Sequence, residues 1–184
     1  MKRILHLKHA SAFGLVLLCM QVSAQAPTGG RTVSADNYES IQAALDANPG
    51  CMIVIDGTRT IASRIRISSD SSGLSGFGII QQQNPAEPIL DIVGATSVRV
   101  RDITCTRPAD KREAEAPGIS CRDSRDVTIE GVRVTGNCAR DAAIEVRNGT
   151  NVIIRNCEIT DYKRIAVDDR TESENYGYAF ICID

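Results

Sequence analysis

The sequence predicts an all-β chain, a right-handed parallel β-helix (solenoid) with a short N-terminal capping α-helix, and three observations carry that expectation. The first is a repeat. The apolar set Leu90, Ile92, Val98, Val100, Ile103 and Cys105 returns with the same internal spacings as Ile119, Cys121, Val127, Ile129, Val132 and Val134. It returns once more as Ile144, Val146, Val152, Ile154, Cys157 and Ile159. All eighteen positions are apolar in a chain of 42% hydrophobic content, and each winding holds three runs that alternate by two, as half-buried strands do. The second observation is the residue between the second and third runs: Asp102, Gly131 and Asn156 are types that tolerate a left-handed backbone, which a tight bend between strands needs. The third is what is missing. No segment of the repeat carries a helical period, and a hairpin sandwich would not bring the whole apolar set back into register at each return.

The elements follow in order. Met1-Lys2-Arg3 with Lys8, the apolar stretch from Ala12 to Val22 and the small residues Val22-Ser23-Ala24 have the layout of a cleaved export signal. Residues 1–24 are therefore expected to be a signal peptide, 25–35 a linker and 36–184 the solenoid, secreted or periplasmic. Cleavage removes Lys2, Arg3 and Lys8 and no acidic residue, so the formal charge moves from −2 to −5. A net acidic surface argues against nucleic acid or an anionic membrane as partners. Both histidines, His6 and His9, leave with the signal, so the mature chain has no imidazole for a Ser-His-Asp triad or a pH switch.

Asp36 is placed to cap a helix, with Glu39 at the reciprocal position. Tyr38, Ile41, Ala44 and Leu45 form its apolar stripe, and Asn48-Pro49-Gly50 stops it. The helix is expected to cover the open edge of the first winding. Cys51 to Ile55 reads as a strand, Asp56-Gly57-Thr58 as a turn, Ile65 and Ile67 as an alternating pair, and the stretch from Gly73 to Gly78 as a tight corner. Cys105, Cys121 and Cys157 fall on inward positions, where they are expected to serve as small apolar side chains rather than disulfide partners. Tyr178 to Asp184 has the pattern of a first run of another winding, and the solenoid is expected to continue beyond it.

The short helix Ser40-Ile41-Gln42-Ala43-Ala44-Leu45, the turn Asp56-Gly57-Thr58, Gly118-Ile119 and the run Asn151-Val152-Ile153-Ile154-Arg155-Asn156-Cys157 together resemble the pectin lyase-like superfamily. The resemblance covers roughly residues 36 to 184. It implies a carbohydrate-active chain, with relatives among pectate and alginate lyases, polygalacturonases, epimerases and adhesins. It also implies a substrate groove along the first run of each winding and the loops entering it, here Thr106 to Pro117, Thr135 to Ala143 and Thr160 to Arg164.

On those first runs the outward positions are Asp91, Ser120, Arg122, Glu145 and Arg147, and Asp168 if Ile165-Ala166-Val167 forms the next run. Arg122 and Arg147 occupy equivalent places about 4.8 Å apart. With Tyr162 they are the expected substrate-binding residues, gripping the carboxylates of an acidic polysaccharide; the alternative is a surface salt-bridge ladder with Glu145 and Asp168 between them.

Two reactions are open. In β-elimination a base takes the proton beside a uronate carboxylate, and Lys163 and Arg164 fit that role where neighbouring positive charge lowers a pKa. In hydrolysis Glu145 and Asp168 would flank the bond at roughly 8 Å. Polygalacturonases carry paired aspartates before a first run and a later Gly-His-Gly. Here Lys163-Arg164 stands at the first place and no histidine remains, which disfavours hydrolysis. Lys163, Arg164, Glu145 and Asp168 are the expected catalytic set. Asp168 and Asp169 are calcium candidates, with a solvated acidic loop as the plainer account. The expected assembly is a monomer. A noncatalytic glycan-binding or adhesion protein on the same windings is the alternative function.

Overall fold

A computed structural model describes residues 30–139, 142–161 and 181–183. The chain enters through β1 (Thr32–Ser34), passes a 3-10 turn (Ala35–Asn37) and forms helix α1 (Ile41–Ala47). The first winding is β2 (Met52–Val54), β3 (Thr58–Ile61) and β4 (Ile65–Ile67); the second is β5 (Gly73–Ser75), β6 (Ile79–Gln82) and β7 (Leu90–Val93). The third is β8 (Arg99–Arg101), β9 (Thr104–Thr106), a short lateral strand β10 (Glu113–Ala114) and β11 (Ile119–Arg122). The fourth repeats that plan with β12 (Thr128–Glu130), β13 (Arg133–Thr135), β14 (Cys138–Ala139) and β15 (Ile144–Arg147). β16 (Ile153–Arg155), β17 (Glu158–Thr160) and β18 (Ile181–Ile183) follow.

Strands of like kind stack into three all-parallel sheets. The first-run sheet is β4-β7-β11-β15-β18, the second-run sheet β1-β2-β5-β8-β12-β16, and the third-run sheet β3-β6-β9-β13-β17. The molecule is a parallel β-solenoid. Its register is the one the repeat implies: Leu90 pairs with Ile119 and Ile119 with Ile144, Val100 with Ile129 and Ile129 with Ile154, Cys105 with Val134 and Val134 with Ile159. Alternation puts each of these side chains inside, so the core consists of vertical rows such as Ile67–Ile92–Cys121–Val146. The first fourteen of the eighteen repeat positions are buried; Val152, Ile154, Cys157 and Ile159, on the last described winding, are half-buried.

The bends repeat as well. Asp102, Gly131 and Asn156 all have positive φ, near 59°, 64° and 54°. The positive φ at Gly131 is the reason for glycine on this rung, and a Cβ there would also have to push aside the Asp102 carboxylate below. At the corner between the first and second runs Asp123 and Asp126, also at positive φ, accept hydrogen bonds from Asn148 (3.0 Å) and Asn151 (2.6 Å) one winding on.

Two local expectations are corrected. Asp36 does not cap the helix. Tyr38 is extended, which breaks the stretch into a 3-10 turn capped by Ser34 and a seven-residue helix capped by Ser40, whose Oγ accepts from the Ala43 N–H at 3.0 Å; Asp36 pairs instead with Arg59. The glycine-rich stretch is not wholly a corner, because Gly73–Ser75 is a strand whose Leu74 joins the inward row between Ile53 and Val100. The corner begins at Gly76, φ 114°. The helix does cover the first winding: Ile41, Ala44 and Leu45 bury against it. Gln42 meets the β4 edge as a neighbouring strand would, its Oε1 accepting from the Arg66 N–H at 2.7 Å and its Nε2 donating to the Arg66 carbonyl at 3.2 Å.

Cys51, Cys105, Cys121, Cys138 and Cys157 are free thiols. Burial pushes Cys105 up to about 12 and Cys121 up to about 11 from an ordinary 9.0, so both stay protonated and inert at neutral pH. Above pH 9 the unfolded chain sheds thiol protons that the folded chain keeps, so stability falls as pH rises, by at most about 1.4 kcal/mol per pH unit for each thiol. Urea unfolding compared at about pH 8 and about pH 10.5 should show a shallower alkaline loss in the Cys105→Ala/Cys121→Ala double variant than in the parent. At neutral pH, Ile92→Ala should lower stability by about 3 kcal/mol through the cavity it leaves. Ile153→Ala, on an exposed face, should stay within about 0.5 kcal/mol.

Candidate functional site

The first-run sheet carries an unusual outer face. Its outward rows, read by register, are Arg66–Asp91–Ser120–Glu145 and Val93–Arg122–Arg147, with Arg64 just before β4. Outward residues of a solvent-facing sheet are ordinarily exposed, yet Asp91, Ser120 and Glu145 are all buried. Arginines close over the acids. Arg122 Nη2 donates to both Asp91 oxygens at 3.0 Å, Arg64 Nη1 approaches the same carboxylate at 3.5 Å, and Arg147 Nη2 donates to Glu145 Oε1 at 2.6 Å. Arg64 is also held by Glu87, Nε to Oε2 at 2.6 Å.

Charge is therefore sorted by depth. On this sheet the Asp91 and Glu145 side chains are 2% and 10% exposed, whereas Arg64, Arg122 and Arg147 are 42%, 42% and 56% exposed. The second-run face shows this sorting less deeply, with Glu130 22% exposed between Arg101 and Arg155 at 50% and 58%, and the third-run face lacks it, Glu158 being 53% exposed beside Arg133 at 54%. A solute approaching the first-run sheet meets guanidinium edges before it meets carboxylates.

Arg122 and Arg147 are neighbours in the ladder, as expected, but the acid beneath Arg122 is Asp91, not Glu145. Asp91 and Glu145 lie two rungs apart, about 9.6 Å by the ladder spacing, near the separation used by inverting glycosidases. Both are buried and engaged by arginine, so neither is presented to a substrate as a proton donor. Lys163, Arg164, Tyr162, Asp168 and Asp169 lie outside the described residues. The place beside β15 that the sequence reading assigned to Ile165-Ala166-Val167 is taken by β18, with Ile144 paired to Ile181 and Val146 to Ile183. Among the described residues no group of three or more acidic, cysteine or histidine side chains is arranged to hold a metal ion.

Sequence reading missed Arg64, Arg66 and Glu87. A signal was present: Ile65 and Ile67 pair with Leu90 and Ile92 as the same first run one winding earlier, 25 residues back, the spacing that also separates Ile119 from Ile144. It also missed Arg107, which was assigned to a variable loop. Arg107 stands one residue past the Gln81–Thr106 pairing of the third-run sheet, in the place Gln82 occupies on the winding below, and both side chains are buried. Its guanidinium meets no carboxylate among the described residues. Nη1 donates to the Asn84 carbonyl at 2.7 Å, Nη2 to the Glu87 carbonyl at 2.6 Å and Nε to Asn137 Oδ1 at 2.5 Å. Burial lowers its pKa to about 10, which leaves it charged at neutral pH. The loops between third and first runs are thus tied together across three windings, and β10 and β14 pair within them.

No protein-family model and no curated protein matches the chain. Among solved structures it is similar to one described as a "putative glycosyl hydrolase" from Parabacteroides merdae, at 15% identity and a TM-score of 0.45 over 72% of this chain and 97% of that one. A likeness of that degree carries no weight for activity, which must be argued from the side chains.

The depth sorting is directly testable. Asp91→Asn removes the buried charge under two arginines and should lower stability by about 2 kcal/mol in urea unfolding. Glu158→Gln, which breaks an exposed pair, should change it by less than about 0.5 kcal/mol.

Proposed function

We propose that the chain is an exported, carbohydrate-active β-solenoid protein that binds an acidic, uronate-containing polysaccharide along its first-run sheet. The observation that carries this reading is the layer of half-exposed guanidiniums, Arg64, Arg122 and Arg147, seated on buried Asp91 and Glu145. Each arginine is oriented by the acid beneath it while its outer edge stays in water, and a guanidinium edge matches a carboxylate in two parallel hydrogen bonds. An extended polyuronate offers such carboxylates in series, and the ladder offers Arg122 and Arg147 on adjacent rungs with Arg64 two rungs below Arg122. The attraction is local, because the mature chain would be net acidic; binding should therefore weaken with added salt and rest on few contacts.

Cleavage by β-elimination is the reaction we assign to this surface, with Lys163 and Arg164 as the candidate base and its cationic neighbour, and Tyr162 as a stacking contact for a sugar ring. The two candidates follow β17 and precede β18 in the chain. Glu145 then acts by orienting Arg147. A noncatalytic binding protein would use the same arginines without turnover.

Incubating the chain with polygalacturonate and with alginate, with and without calcium, while following the absorbance of unsaturated sugar ends separates these outcomes. Product formed by the parent but not by Lys163→Ala or Arg164→Ala supports the lyase. Binding without product supports the noncatalytic alternative. In either case the Arg122→Ala/Arg147→Ala variant should lose about tenfold in affinity, and unchanged affinity there would remove the first-run sheet as the binding surface.

A further inference from the structure

The buried guanidinium of Arg107 sits away from the arginine layer, yet a continuous set of contacts joins them. Its Nη2 holds the Glu87 carbonyl at 2.6 Å and its Nη1 the Asn84 carbonyl at 2.7 Å, so the turn from 84 to 87 is grasped at both ends by one planar fork. Within that turn the Asn84 side chain accepts from the Ala86 N–H at 3.0 Å, and Gln82 accepts from the Asn84 N–H at 3.0 Å and donates to the Pro88 carbonyl at 3.2 Å. The Glu87 side chain leaves this braced turn and takes Arg64 at 2.6 Å. Arg64 in turn reaches Asp91, the acid that also seats Arg122. No comparable route runs to Arg147, whose only hydrogen-bonded side chain among the described residues is Glu145 on its own strand.

We infer that Arg107 is a positioning residue for Arg64: by fixing the 84–87 turn through two carbonyls it sets Glu87, and Glu87 sets the guanidinium that extends the cationic layer to the lowest winding. A buried charge is costly unless its hydrogen bonds are met, and here carbonyl and amide oxygens rather than a carboxylate meet them. The contact therefore depends on the geometry of the fork and not on charge alone. Lysine at 107 keeps the charge but presents a single nitrogen that cannot span both carbonyls and Asn137 at once. The assignment extends the binding reading above and rests on it for its functional consequence.

Double-mutant cycles test it, with oligogalacturonate as the probe and the whole chain as the protein. Arg64→Ala and Arg147→Ala should each weaken binding by about threefold to fivefold. Arg107→Lys should match the Arg64→Ala loss. The Arg107→Lys/Arg64→Ala pair should bind no more weakly than Arg64→Ala alone, while Arg107→Lys/Arg147→Ala should show the product of the two losses. Glu87→Gln, which leaves the buried fork intact, should reproduce the Arg107→Lys loss and serves where the lysine variant folds poorly. Arg107→Lys losses that multiply equally with both arginine variants, or no loss at all, would overturn the assignment and leave Arg107 as a fold-bracing residue. If oligogalacturonate does not bind, or neither Arg64→Ala nor Arg147→Ala affects it, the glycan reading fails instead. Urea unfolding of the same Arg107–Arg64 cycle without ligand then decides the positioning role: non-additive stabilities retain it, additive ones remove it.

Discussion

Everything in this molecule depends on parallel strands of successive windings meeting in register, so that inward side chains stack on their own kind. A parallel ladder spaces the windings by about 4.8 Å, close to the thickness of an aliphatic side chain, and rows such as Ile67–Ile92–Cys121–Val146 stack buried side chains at that spacing. Each winding alone has no interior. Its apolar faces find partners only above and below, as in other repeat proteins. The same register that aligns the core aligns everything outside it, which is why bends carry Asp102, Gly131 and Asn156 in one column and why Asn148 and Asn151 bond to Asp123 and Asp126 beneath them.

Stacking also turns single side chains into arrays. An arginine on one rung has its nearest neighbours on the adjacent rungs, so repulsion between Arg122 and Arg147 must be answered within the sheet. Asp91 and Glu145 answer it from below, and the consequence is a face whose negative charge is covered and whose positive charge is half exposed. On the second-run sheet Glu130 is only partly covered by its arginines, and on the third-run sheet Glu158 is left in water. At the corner before the first run Arg107, Gln82 and Asn137 are buried polar side chains, and Arg107 ties the loops of three windings together.

Much of the fold was legible because the governing signal is periodic. The recurrence of one apolar set predicted strand pairings that the structure reproduces residue for residue. The cap was less legible, since whether Asp36 or Ser40 starts a helix turns on the backbone of one tyrosine between them. The candidate site was legible only in part. Arg122, Arg147 and Glu145 could be placed by counting rungs, and the pairing of Arg122 with Asp91 could not, because a long side chain chooses among several acids within reach. Arg107 was least legible of all: a charged residue past the end of a strand reads as solvent-facing until loops from neighbouring windings supply the oxygens that let it turn inward.

The sequence by itself determined the solenoid, its register, the apolar rows and the left-handed bends, since each follows from the identity of residues at a fixed spacing. Only the tertiary structure decided which acid lies under which arginine, that β18 stands beside β15, and that a guanidinium belongs in the interior. Those outcomes depend on where long side chains and loops end in space, and a repeat fixes which rungs are neighbours but not which partner a side chain or loop reaches across them.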